Sequence, residues 1–143
     1  MTVAAVAQRL GGIKVLKTPI RSELDLAVAV AKGLPTAAVD ALVAHGAILT
    51  HEIGHLLLPP QTLADRKKRR RPLTPDESDR VARIARLHAR VTEILGDDGK
   101  AFAWMRRPNR ALGGQPPVEL LRTGEGARLV DDVLTRLEHG VFA

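Results

Sequence analysis

The sequence contains no cysteine, no tyrosine and only three aromatic residues, Phe102, Trp104 and Phe142. Without cysteine there are no disulfides, no thiolate metal ligands and no cysteine nucleophile, and the composition fits a reducing cytosol. With aromatics at 2%, a core has to be built from Leu, Val, Ile and Ala. That favours helices over a sandwich, because sheets draw on aromatic and β-branched side chains. Long apolar runs are missing too: Lys32, His45 and the His51 to His55 stretch interrupt the best candidates, well short of the roughly 18 residues that a membrane span needs. The amino terminus lacks the basic segment, apolar core and small-residue cleavage site of a secretory leader. A cytoplasmic protein with no membrane partner is expected. Gly113-Gly114 lacks the spacing and lysine of a phosphate loop, and neither Ser22 nor Ser78 has a convincing partnered base.

What is present is a chain of 143 residues, 45% apolar, enough for one ordinary domain or two very small ones. Its formal charge of +6 is unevenly spread: residues 1–71 hold 11 Lys or Arg against 5 Asp or Glu, and residues 72–143 hold 11 against 11. Most of the excess lies in the unbroken run Arg66, Lys67, Lys68, Arg69, Arg70, Arg71. A basic half followed by a neutral half suggests that two partners are served.

The punctuation reads as helices throughout. Residues 1–21, with Gly11, Gly12 and Pro19, are expected to be weakly ordered. Behind a Ser22 cap, Leu24, Ala27, Val28 and Ala31 recur at helical spacing up to Gly33. A second helix starts near Pro35 or Thr36, buries Val39, Leu42 and Val43, and stops at Gly46. Thr50 caps a short helix with Ile53, Leu56 and Leu57 that Pro59-Pro60 breaks. The chain restarts at Gln61-Thr62 into a basic helix. Two short helices around a tight turn, the second basic, match the plan of a helix-turn-helix. Thr74-Pro75-Asp76-Glu77 combines a capping box with Pro at the first helical position. The helix that follows carries Val81, Ile84, His88, Val91 and Leu95 on one stripe, with Arg80, Arg83, Arg86 and Arg90 expected to face outward. Asp97 caps a helix closed by Pro108, Asn109 to Pro117 is a turn-rich connector anchored by Leu112, and a last helix ends at Gly140. The expected fold class is all-α: a helix-turn-helix unit over residues 22–71 and a compact helical domain over 72–143, joined near residues 69–74.

His51-Glu52-Ile53-Gly54-His55 matches H-E-x-x-H, in which two histidines one turn apart bind zinc and the glutamate is a general base. A zinc metallopeptidase using His51, His55 and conceivably Glu77 is therefore the rival reading. Against it, Gly54 and Pro59-Pro60 weaken the helix that would hold the ligands, and Glu77 is the expected partner of Thr74 in its capping box. Neither a catalytic residue, nor a metal, nor a required cofactor is expected.

The segments Leu73-Thr74-Pro75-Asp76-Glu77-Ser78-Asp79-Arg80, Gly96-Asp97, Ala103-Trp104-Met105, Pro108-Asn109-Arg110-Ala111-Leu112-Gly113-Gly114, Pro117, Leu120-Leu121, Thr123, Gly126 and Glu138-His139-Gly140-Val141 closely resemble the Xre/MbcA/ParS antitoxin family in order and spacing. The resemblance covers roughly residues 33–143. It implies an Xre-type helix-turn-helix followed by a toxin-binding domain, and a type II antitoxin encoded beside its toxin. The implied partners are a RES-type or ADP-ribosyltransferase-like, NAD-consuming toxin, promoter DNA, and further copies of the chain in homodimers and toxin–antitoxin hetero-oligomers. By position, Gln61, Thr62, Asp65, Arg66, Lys67, Lys68, Arg69, Arg70 and Arg71 become the expected DNA-binding residues. Gln61 and Asp65 stand where arginines are common in the family, and Asp65 would repel phosphate unless it accepts from a cytosine amino group or pairs with a neighbouring Arg. A solubilising linker is the plainer reading of the basic run. Toxin contact is expected on exposed groups of the second half: Arg80, Arg83, Arg106, Arg107, Arg110, Glu138, His139, Val141 and Phe142. Trp104, Leu112, Leu120 and Leu121 are read as core. A stand-alone transcriptional regulator is a further alternative.

Overall fold

A computed structural model describes residues 2–140; Val141 and Phe142 lie outside the described residues. The elements run α1 (Val3–Arg9), α2 (Gly12–Leu16), α3 (Glu23–Lys32), α4 (Ala37–Ala44), a 3-10 turn (Thr50–Glu52) leading into α5 (Ile53–Leu56), α6 (Pro60–Lys68), α7 (Pro75–Leu95), α8 (Asp98–Arg106), a second 3-10 turn (Arg110–Leu112), α9 (Pro117–Leu120) and α10 (Gly124–Glu138). Among the described residues there is no strand, so the fold is all-α as expected.

The caps read at Ser22, Thr74 and Asp97 form as expected, whereas Thr50, read as a cap, is the first residue of a 3-10 turn and makes no side-chain capping bond. Ser22 Oγ accepts from the Asp25 amide, Asp97 Oδ1 from Lys100, and Thr123 Oγ1 from Gly126. At the start of α7, Thr74 Oγ1 accepts from the Glu77 amide while Glu77 Oε1 accepts from the Thr74 amide at 2.9 Å, a complete capping box. α7 is the hub, packing against α1, α3, α4, α8 and α10. Val81, Ile84, His88 and Val91 are buried on it as expected, with Leu95 half-buried. Its buried Ala82, Ala85 and Ala89 widen the stripe, since small side chains let neighbouring helices approach on more than one side. One cluster of buried apolar residues runs from Val6 to Leu134, and Leu112 and Leu121 belong to it. Trp104 and Leu120 are half-buried against that cluster.

Three expectations are corrected. The amino-terminal segment is ordered: Thr2 caps α1, Val6 and Leu10 are fully buried, and α1 packs on α7. Gly11 and Gly12 take φ of 101° and 64°, so the pair that read as a break is a tight turn returning α2 onto α4. On α3, the stripe read from Leu24, Ala27, Val28 and Ala31 faces solvent, and Leu26 on the other side enters the core. The arginines of α7 are half-buried, because α7 has neighbours on its outer side as well. Arg86 pairs with Glu23, and Arg90 reaches Asp131, Thr135 and Glu138.

Candidate functional site

α5 and α6 are the two short helices on which the sequence reading placed the helix-turn-helix. Leu56, Leu57 and Leu58 fill the turn with buried side chains, and Pro60 opens α6, where its missing amide proton loses nothing. A Cβ on Gly54 would stand 3.1 Å from the Pro60 ring, so the glycine admits the close approach of the two helices.

α6 presents its charges unequally. Leu63 is buried, and Thr62, the helix's third residue, is half-buried. Arg66 points back into the protein: Nε donates to Glu77 Oε1 and Nη2 to Glu77 Oε2, both at 3.0 Å. This fork holds the Glu77 carboxyl below its ordinary pKa, and with the capping bond it occupies both oxygens of the residue proposed as a third zinc ligand. Lys67 donates to Asp40 of α4 at 3.0 Å, and Arg69 donates to Asp65 at 3.0 Å, which neutralises the acid that would oppose phosphate. Lys68, Arg70 and Arg71 are exposed and have no partner among the described residues, and Gln61 is exposed at the first turn.

Arg70 itself has φ 54°. The Arg71 amide donates to the Arg66 carbonyl at 2.9 Å, so the helix closes with a left-handed residue one past its cap, a place glycine normally takes.

The H-E-x-x-H residues do not converge. Thr50–Glu52 is a 3-10 turn and α5 has a single turn, so the two histidines do not share a regular helix. Glu52 accepts from Arg106 Nε at 2.9 Å and Nη2 at 2.7 Å, and from the Leu49 amide at 2.8 Å. Burial pushes the Glu52 pKa up, but these bonds outweigh it and the carboxyl stays below its usual range. His55 Nε2 lies 2.7 Å from Glu119 Oε2 of α9. Among the described residues no group of three or more His, Asp or Glu is gathered for a metal ion.

In the second half, Arg107 and Arg110 are exposed and unpartnered among the described residues. They flank the Asn109 turn, where the Asn109 side chain accepts from the Ala111 amide at 3.0 Å. Glu138 and His139 are exposed at the end of α10, with Glu138 accepting from Arg90 at 3.2 Å. The other three expected contact arginines are used internally. Arg80 Nε donates to the Leu57 carbonyl at 2.8 Å. Arg83 joins Asp79 and the Leu121 carbonyl. Arg106 binds Glu52, Ala47 and Phe102 carbonyls included, with its guanidinium 3.6 Å from the Phe102 ring centroid. Of all these pairings, sequence spacing alone could have found Asp65–Arg69 and Asp79–Arg83, which are four apart on a helix.

Arg66–Glu77, Arg80–Leu57, Arg106–Glu52 and His55–Glu119 together bind the helix-turn-helix to α7, α8 and α9. The molecule is thus an all-α protein in which the segment from Glu52 to Arg66, with α5 and α6, is clamped to α7, α8 and α9. Residues 25–86 match the profile of an antitoxin Xre-like helix-turn-helix domain, and residues 90–140 that of the antitoxin Xre/MbcA/ParS C-terminal toxin-binding domain. The chain is 41% identical over 87 residues to the antitoxin Xre of Yersinia enterocolitica, an alignment covering 60% of this chain and 59% of that protein. It is 36% identical over 84 residues to the antitoxin Xre of Pseudomonas putida, covering 59% and 53%. With a Sphingobium protein named Prs ADP-ribosylating antitoxin it shares 30% over 97 residues, covering 62% and 61%. The chain therefore spans between about half and three-fifths of these relatives. It belongs to the Xre/MbcA/ParS-like antitoxin family, and that kinship supports a non-catalytic role. No helix among the described residues is long and apolar enough to cross a membrane.

Proposed function

We propose that the chain is a type II antitoxin that binds and inhibits a toxin encoded by the adjacent gene and represses their shared promoter. The observation that carries this reading is the pairing of two family matches on one chain, one over residues 25–86, from α3 into α7, and one over residues 90–140, from the end of α7 through α10. The toxin is of the RES type or a related ADP-ribosyltransferase-like fold that consumes NAD, and inhibition works by covering its active site. The contact surface includes Arg107, Arg110, Glu138 and His139, which are exposed; Arg80, Arg83 and Arg106 are held in internal bonds. Promoter contact falls on Gln61, Lys68, Arg70 and Arg71; the three exposed cations, Lys68, Arg70 and Arg71, neutralise phosphates and so position the protein without specifying sequence.

Co-purification of the chain with the adjacent gene product, followed by an NAD-consumption assay on that product with and without the chain, tests the proposal. A stable complex that silences NAD loss is the expected result. An active neighbour that neither binds nor responds defeats the toxin assignment, and retarded promoter DNA in a mobility-shift assay would then favour the stand-alone regulator.

A further inference from the structure

α6 is fastened along both of its flanks. Its outward stripe is Gln61, Ala64, Asp65 and Lys68, all exposed, at positions i, i+3, i+4 and i+7. On the inner side, Arg66 and Lys67 stand to either side of the buried Leu63. Arg66 forks onto Glu77 of α7, while Lys67 Nζ donates to both carboxylate oxygens of Asp40 on α4, at 3.0 and 3.2 Å. The two fastenings differ in kind. The Arg66 and Glu77 side chains are 24% and 10% exposed, whereas those of Lys67 and Asp40 are 42% and 61% exposed. The second pair borders an open groove of about 500 Å³ between α4 and α6, whose lining includes Val43, Ile53 and Leu63.

We propose that Asp40 limits the electrostatic grip of this surface on DNA by withholding Lys67 from the phosphates, an inference that rests on the promoter-contact reading above. A helix lying in a major groove turns its outward stripe to the bases and its flanks to the phosphate walls. Lys67 stands on such a flank. With Asp40 beside it, the flank is neutral in either arrangement: if Lys67 stays, no phosphate is neutralised, and if it leaves, it bares a carboxylate that the polyanion repels. Glu77 cannot play the same part for Arg66, because it is buried and bonded to its own helix end. Asp40 has neither constraint and acts on DNA only through Lys67, so it is a positioning residue. The consequence is a weaker sequence-independent grip than six consecutive cations would give, which leaves fewer copies stranded on the bulk of the chromosome.

Binding isotherms of the full chain at several salt concentrations test the inference, on a duplex from upstream of its own gene and on a scrambled duplex of the same length and composition. Circular dichroism confirms the helical content of each variant. Asp40→Asn should tighten binding to both duplexes about fivefold and steepen the salt slope by about 0.9, the signature of one more neutralised phosphate. Lys67→Ala should leave the slope of the wild type unchanged and abolish the gain in the Asp40→Asn background, because only there does Lys67 meet a phosphate. Asp40→Glu keeps the carboxylate and should behave as wild type. Asp132→Asn, on the exposed side of α10, alters the net charge equally and should leave the slope alone. A slope that Asp40→Asn does not change, or that Lys67→Ala lowers alike in both backgrounds, overturns the inference. So does an equal gain from Asp132→Asn, since net charge would then account for it. If neither wild type nor Asp40→Asn binds either duplex even at low salt, the promoter-contact reading itself fails and the inference falls with it.

Discussion

Arg106 closes both arms of its guanidinium on Glu52, across a sequence separation of 54 residues, and the two side chains are only 17% and 16% exposed. The pair joins the helix that carries the Trp104 core residue to the start of the helix-turn-helix. Removing one partner strands the other charge in a poorly solvated place. Arg106→Ala and Glu52→Gln should each lower unfolding stability by about 2–4 kcal/mol, somewhat less than for a fully buried pair, and an apolar exchange of both residues should recover part of the loss. The neighbouring Arg107→Ala should change stability by no more than about 0.5 kcal/mol. Urea denaturation measures all four. Equal effects of Arg106→Ala and Arg107→Ala would mean that the clamp contributes nothing.

The amino-terminal helix is part of the same core. Leu10 has no exposed surface, and Arg9 beside it donates to His88 Nδ1 at 2.8 Å and to Asp98 Oδ1 at 3.2 Å. Leu10→Ala should therefore cost about 2–4 kcal/mol in a denaturation experiment, as for any core leucine whose cavity cannot fully collapse. A change near zero would return residues 2–16 to the weakly ordered state that their glycines suggest.

Helix ends were among the most legible features of the sequence, because a cap is a local device: Ser22, Thr74 and Asp97 each serve an amide three residues on. The α7 stripe was legible for a related reason, since a helix buried on one side leaves a period of 3.6. α3 defeated that logic. Its solvent face is as apolar as its core face, and periodicity reports a stripe without saying what covers it. The arginines were misread because a formal charge does not reveal its partner: Arg66 finds Glu77 eleven residues away and Arg106 finds Glu52 across the fold. Composition indicated that residues 66–71 were basic. Only the fold separates the three cations that are free among the described residues from the three that are already paired.

Under the proposed promoter contact, changes at Arg70 should move stability and DNA affinity in opposite directions. It holds φ 54° as a non-glycine residue and its side chain is exposed. Arg70→Gly relieves the left-handed strain and should stabilise the fold by about 1 kcal/mol. It also removes an exposed cation; under the proposed promoter contact, affinity should fall uniformly across sequences and the salt slope of binding should shrink by about 1. Arg66→Ala should do the reverse, destabilising the fold with little change in that slope. Thermal melts together with binding isotherms at several salt concentrations read both quantities. If Arg66→Ala lowers the slope as much as Arg70→Gly does, Arg66 leaves Glu77 for DNA.

His88 gives the protein an acid sensitivity distinct from that of its carboxylates. The imidazole is fully buried, Nδ1 accepts from Arg9, and Nε2 has no hydrogen-bond partner among the described residues. Burial first, and then the Arg9 charge, hold its pKa below the ordinary 6.5, with Asp98 opposing them weakly. In the native state the ring stays neutral at a pH where the unfolded chain's imidazole is already charged. The unfolded state then binds the extra proton, so stability falls as pH drops through the unfolded value and levels off only below the native one. Glu52 and Glu77 have lowered pKa values, so their contribution is intact above the ordinary carboxylate value of 4.5 and is lost only as pH falls through their native values. The first decline, between about pH 7 and pH 5.5, should therefore belong to His88. Thermal midpoints should drop over that interval in the wild type and stay nearly level in His88→Gln, whose amide oxygen can still accept from Arg9. The other four histidines are exposed, so an equally steep decline in His88→Gln would remove His88 as its source.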